Sequence, residues 1–134
     1  MHLGSCLCGK VNVKITGNIT SIIHCHCSLC RKNSGTAFAT NGFVNADEFL
    51  ITQGQDSLSG YAFKPGRTRY FCACCGSPIY SENTSDKSRF RIRLGLLDSD
   101  IAEKPISHNF VTSKANWEQL ETSLPCYKKH EPGR

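Results

Sequence analysis

The chain has 134 residues, 39% of them hydrophobic, with 16 Lys plus Arg against 11 Asp plus Glu and a formal charge of +5. That length suits one domain, and so modest an apolar fraction leaves a core that a metal or covalent staple would supplement. No stretch approaches the roughly 18 apolar residues of a membrane span, and "MHLGSCLCGK" lacks the apolar run of a signal peptide, so a cytoplasmic protein with reduced thiols and no membrane partner is expected.

In chain order, the pattern is mostly of period two. "GSCLCGK" brings a first cysteine pair, Cys6 and Cys8, and "VNVKI" follows with Val11, Val13 and Ile15 alternating with Asn12 and Lys14, a strand with one buried face. "HCHCSLC", residues 24 to 30, packs three cysteines and two histidines into seven positions, and a helical turn is expected through "SLCRK". "TAFATNGFV", "EFLIT", "SLSGYAF" and "TRYFC" read as further strands separated by Gly, Asn, Asp and Pro. "CACCGSP" carries Cys72, Cys74 and Cys75 before the short strand "PIYS". "RFRIRLGLL" alternates Phe90, Ile92, Leu94 and Leu96 with Arg89, Arg91, Arg93 and Gly95. "HNFVTS" reads as a last strand, "SKANWEQLE" as a short helix capped by Ser113, and "KKHEPGR" as a loose tail. The fold class predicted is all-β with short helical segments: one domain over residues 1–128 and a tail over 129–134.

Nine cysteines is an odd number, so complete intramolecular disulfide pairing is excluded. In a reducing compartment, clustered cysteines point to metal binding or catalysis. Cys72 and Cys75 form a C-x-x-C knuckle, with Gly76 free to make the tight turn that lets both reach one ion. Cys74 would then point away. The knuckle supplies two of the four ligands of a structural zinc site, and Cys6 and Cys8 are the natural donors of the rest; the alternative is that this pair only fills core space. Such a site would tie the N-terminus to the middle of the chain. Cys25, Cys27 and Cys30 can hold a second ion with three sulfurs, and an open fourth position marks a catalytic zinc. Either His24 or His26 could close that position. If Cys25 and Cys27 point one way on a strand, however, the histidines point the other way, toward surface or supporting roles. Cys126 stands alone.

Taken together, "GSCLCGKV", "CHCSLCRKNSGTAFAT", "RYFCACCGSPIYS", "RLGLLD" and "HNFVTSKANWEQLETSLPCY" resemble the glutathione-dependent formaldehyde-activating family, of which centromere protein V is a eukaryotic relative. The resemblance covers residues 2 to 128. It implies a β-tent fold with two zinc ions: Cys6, Cys8, Cys72 and Cys75 match the structural zinc ligands, and Cys25, Cys27 and Cys30 match the catalytic ones. The activity it implies is condensation of glutathione with formaldehyde to S-(hydroxymethyl)glutathione, formally a carbon–sulfur lyase reaction.

The chemistry of three thiolates agrees with that activity. Zinc deprotonates a coordinating thiol, and a zinc already carrying three thiolates is a poor Lewis acid but leaves a fourth sulfur nucleophilic toward an aldehyde. Zinc-hydroxide hydrolysis is the less suited use, since it is favoured by neutral ligands. Glutathione's two carboxylates call for cations, and Arg31 and Lys32, directly after the third ligand, are the first candidates. Arg67, Arg69 and the row Arg89, Arg91, Arg93 are further ones, although the row reads more simply as a solvated strand face. Trp117 and Phe110 read as core residues. A non-catalytic zinc module, carrying glutathione or binding nucleic acid, is the alternative. Seven thiolates around two divalent ions would lower the net charge to about +2, and the basic residues are scattered without interleaved aromatics, so nucleic acid is the weaker partner. A C-x-x-C redox protein would need a βαβ pattern the chain lacks.

Overall fold

The computed structural model describes residues 1–120 and 123–134 and assigns to them ten strands and one α-helix in two sheets. The strands are β1 (His2–Ser5), β2 (Asn12–Ile15), β3 (Thr20–Cys25), β4 (Ala39–Asn45), β5 (Phe49–Gln53), β6 (Leu58–Lys64), β7 (Arg67–Cys72), β8 (Pro78–Asn83), β9 (Asp86–Arg93) and β10 (Ser107–Asn109), with α1 (Ser28–Ser34) between β3 and β4. A three-stranded sheet, β1-β2-β5, faces a seven-stranded one in the order β10-β3-β4-β9-β8-β7-β6. Every pairing is antiparallel except β10 with β3.

Alternation decides what each face carries. On β2, Val13 and Ile15 are buried and Asn12 and Lys14 are not. They join Val11, Ile19, Ile22, Val44, Phe49, Ile79 and Ile92 in the main core. Burying each of these isoleucines contributes about 2 kcal/mol. On β9 the core face is Phe90 and Ile92, so Arg89, Arg91 and Arg93 project from the other face of the sheet. Cross-strand register then aligns residues on that second face. Arg69 pairs with Ser81, Ser81 with Arg91 and Arg91 with Phe43. In the next row Arg93 pairs with Asn41 and Asn41 with Ile23. A bulge at Ser21, whose φ is 49°, lets Ile22 enter the main core while Ile23 and Cys25 line the second face.

The all-β expectation holds, and several local ones are corrected. Residues 114–120 of the predicted "SKANWEQLE" helix are not helical; Ser113 ends a 3-10 turn, Val111–Ser113, and residue 121 lies outside the described residues. A helix of that length is marginal without an apolar face to dock. Here the Lys114 ammonium instead donates to the carbonyls of Ala115 and Glu118, and Trp117 is 68% exposed rather than in the core. Phe110 is half-buried at a left-handed φ of 58°, which ends β10 before the rest of "HNFVTS" can extend it. β9 stops at Arg93, and Leu94–Leu96 forms a 3-10 turn. The expected loose tail folds back onto the second face: Glu131 is buried, accepting from Asn109 Nδ2 and Arg134, and His130 packs edge-on to Phe110.

Candidate metal centres

Two turns build the first cluster. Cys6 and Cys8 sit just beyond β1, in a turn closed by the Gly9 amide on the Cys6 carbonyl at 3.0 Å, rather than on a strand. Cys72 ends β7, and the Gly76 amide reaches its carbonyl at 2.7 Å. Both turns need a residue at positive φ directly after a cysteine, and Gly9 (80°) and Gly76 (79°) supply it. The four sulfurs of Cys6, Cys8, Cys72 and Cys75 lie within 4.8 Å of one another. Cys6 and Cys8 sulfurs are 3.6 Å apart, and Cys8 and Cys72 sulfurs 3.8 Å. A tetrahedral ion with Zn–S of about 2.3 Å requires edges of about 3.8 Å, so this donor set fits such an ion. Hydrogen bonds from the Ser77 hydroxyl and backbone pull the Cys75 thiol down to about 5, favouring the thiolate a metal requires. Cys74 and Cys126 are exposed and belong to neither cluster.

The second cluster forms where β3 runs into α1. Cys25 is the last residue of β3, Cys27 caps the helix by accepting from the Cys30 amide at 3.3 Å, and Cys30 is the helix's buried residue. Their three sulfurs also lie within 4.8 Å of one another. Cys30 is the readiest to ionise: hydrogen bonds from Cys25 and Cys27, then the nearby charges of Arg93 and Arg69, hold its thiol far below the ordinary range. Cys25 is correspondingly pushed up by its hydrogen bonds with Cys27 and Cys30. Either cluster could hold a metal ion.

Neither histidine beside this cluster turns toward it. His24 bonds Thr40 at 2.8 Å, and His26, fully buried, shares a 2.8 Å hydrogen bond with His108. Both turn to the far side of the sheet, their rings tilted against Phe38 at 4.5 and 5.0 Å. Burial, followed by the proximity of His108, pushes both histidines down to about 4, so they are neutral at physiological pH.

On the near side, Cys25, Cys27 and Cys30 open into a solvent-connected cavity of about 160 Å³. Arg69 reaches the cluster directly, donating to Cys30 Sγ at 3.6 Å and to the Leu29 carbonyl at 3.2 Å. Arg93 forks between the side-chain oxygens of Asn33 and Asn41, joining α1 to β4. Phe43, from β4, is covered by the guanidinium groups of Arg89, Arg91 and Arg134 at 3.8, 4.8 and 4.6 Å. Arg31 and Lys32 stand outside the lining, whereas Arg67, Arg69, Arg91 and Arg93 are all part of it. Arg134 and His130 also line it; no sequence signal marked them, because "KKHEPGR" has the composition of a loop.

The profile of the family described as glutathione-dependent formaldehyde-activating enzyme matches residues 1–113. A Halomonas elongata protein, named provisionally as a glutathione-dependent formaldehyde-activating enzyme, is 28% identical over 128 residues, covering 89% of this chain and 80% of its own length. A crystal structure of a Rhodobacter sphaeroides protein is similar with a TM-score of 0.63 at 20% identity, covering 75% of this chain and 91% of that one. That last likeness bears on the fold alone.

Proposed function

Because the chain belongs to the glutathione-dependent formaldehyde-activating enzyme family, we propose that it joins the sulfur of glutathione to the carbon of formaldehyde at the three-cysteine cluster. The product is S-(hydroxymethyl)glutathione, and the formal class is carbon–sulfur lyase. One observation carries this reading: Cys25, Cys27 and Cys30 open into one cavity together with five arginines, four of them from β7 and β9. Cys6, Cys8, Cys72 and Cys75 would hold one zinc ion as a structural clip, and Cys25, Cys27 and Cys30 would hold a second. Bound there, zinc would supply a thiolate at neutral pH from a thiol that reached its fourth position.

The chain's own residues do the remainder. Arg69 and Arg93 offset the negative charge of the cysteine cluster. The arginines of β7 and β9 receive the carboxylates of glutathione in charge-assisted, fork-shaped contacts. Arg67 and Arg69 rest on Phe63, at 5.4 and 4.4 Å, which holds them in place at the cavity wall. His24 and His26 leave the cluster with sulfur alone. Thiolate ligands also require a reducing compartment such as the cytoplasm.

The test is the rate at which formaldehyde disappears with glutathione and zinc-loaded protein, relative to the spontaneous rate. The wild type accelerates the loss. Cys27→Ser, which keeps an oxygen to cap α1, falls to near the spontaneous rate. A variant as fast as the wild type would refute the assignment.

A further inference from the structure

The cavity is one-sided in charge. Lys64, Arg67, Arg69, Arg91, Arg93 and Arg134 line it, and among the described residues no Asp or Glu does. Some of these cations are already engaged. Arg134 pairs with Glu131 at 2.9 Å, and Arg69 and Arg93 lie beside Cys30. Arg67, Arg91 and Lys64 have no ion-pair partner among the described residues. The Arg67 Nε is buried and without a hydrogen-bond partner. Arg91 is pushed down to about 10 by burial and by the charges of Arg67 and Arg134, and Arg67 is lowered by burial and by Arg69. Arg67 and Arg91 are therefore held close to like charges without an ion-pair partner among the described residues, a cost that an anionic ligand relieves.

Glutathione answers this only in part. Its two carboxylates suit the arginines, but its ammonium enters a cavity that offers no carboxylate. We infer that the cavity selects its thiol by net negative charge and repels an ammonium, so that its preferred ligands are acidic thiols whose amine is acylated or absent. The inference rests on reading this cavity as the thiol's binding site, and it concerns which thiol is bound best rather than which bond is made.

Two ligands isolate the effect: S-methylglutathione and N-acetyl-S-methylglutathione differ only in the ammonium, and the methyl group keeps the sulfur from binding a metal as a thiolate. Titration calorimetry on the zinc-loaded protein at low salt should show the acetylated ligand binding at least about fivefold tighter, or about 1 kcal/mol. The advantage should shrink at high salt and in Arg67→Gln/Arg91→Gln. A ratio of one or less in the wild type, no binding of either ligand at millimolar concentration, or a ratio untouched by the arginine changes overturns the inference. Formaldehyde loss with glutathione, measured on the same preparation, separates the two readings. Turnover with a ratio of one or less sinks only the charge selection. A fivefold ratio without turnover sinks only the formaldehyde reaction.

Discussion

Replacing Cys72 and Cys75 together by alanine removes half of the four-sulfur cluster and releases the N-terminal turn from the end of β7. A metal clip between Cys8 and Cys72 would close a loop with a sequence separation of 64 residues. The chain-entropy relation for a cross-link of that length gives about 4 kcal/mol. Cys72 is 0% exposed, so its truncation adds about 1 kcal/mol for the space left behind. A loss of about 5 kcal/mol is comparable with the whole stability of a small domain, typically about 5–15 kcal/mol. Equilibrium unfolding in urea should therefore find the double variant destabilised by about 5 kcal/mol, and a strong chelator should weaken the wild type by a similar amount. Cys25, Cys27 and Cys30, by contrast, span only a few residues, and cross-linking them is worth about 2 kcal/mol by the same relation. If the Cys72→Ala/Cys75→Ala protein unfolds within about 1 kcal/mol of the wild type, the clip argument fails.

Two further outcomes follow from the site geometry. With both clusters metal-loaded, a thiol reagent should find two fast-reacting cysteines, Cys74 and Cys126, the two that belong to neither cluster; adding chelator should release the other seven, and a larger fast count at the outset would contradict the partition. Arg93→Lys should lose about 2 kcal/mol in urea unfolding, because an ammonium cannot span Asn33 and Asn41 as the guanidinium does; an unchanged midpoint would remove Arg93 as the brace between α1 and β4.

Much of the site was legible because its logic is local. C-x-x-C with a following glycine sets a turn, and the alternation of His24, Cys25 and His26 sends sulfur and imidazole to opposite faces of β3. The partner of each cysteine pair could be argued from ligand number. Cation placement was not legible in the same way. Arg31 and Lys32 adjoin Cys30 in sequence, but α1 advances about 100° per residue and carries them away from the cavity. Arg69 reaches Cys30 only because register across β7, β8, β9 and β4 brings β7 alongside α1, and register between distant strands is not written in any one of them. The period-two row Arg89, Arg91, Arg93 by itself reads as a solvated face; Phe43, packed beneath Arg89 and Arg91, is contributed by another strand. The C-terminal segment failed for a related reason: a buried Glu131 is intelligible only beside Asn109 and Arg134, which reach it through tertiary contact.

The proposed function requires one cluster to be closed by four sulfurs and the other to hold a place for a fourth. X-ray absorption on protein carrying two zinc ions per chain counts the sulfurs around them. Without glutathione the average should be about 3.5 per zinc, and with glutathione it should rise to about 4, the four-sulfur limit of a tetrahedral site. An average that stays near 3.5 when the thiol is added, or one already at 4 before it, would contradict the central claim.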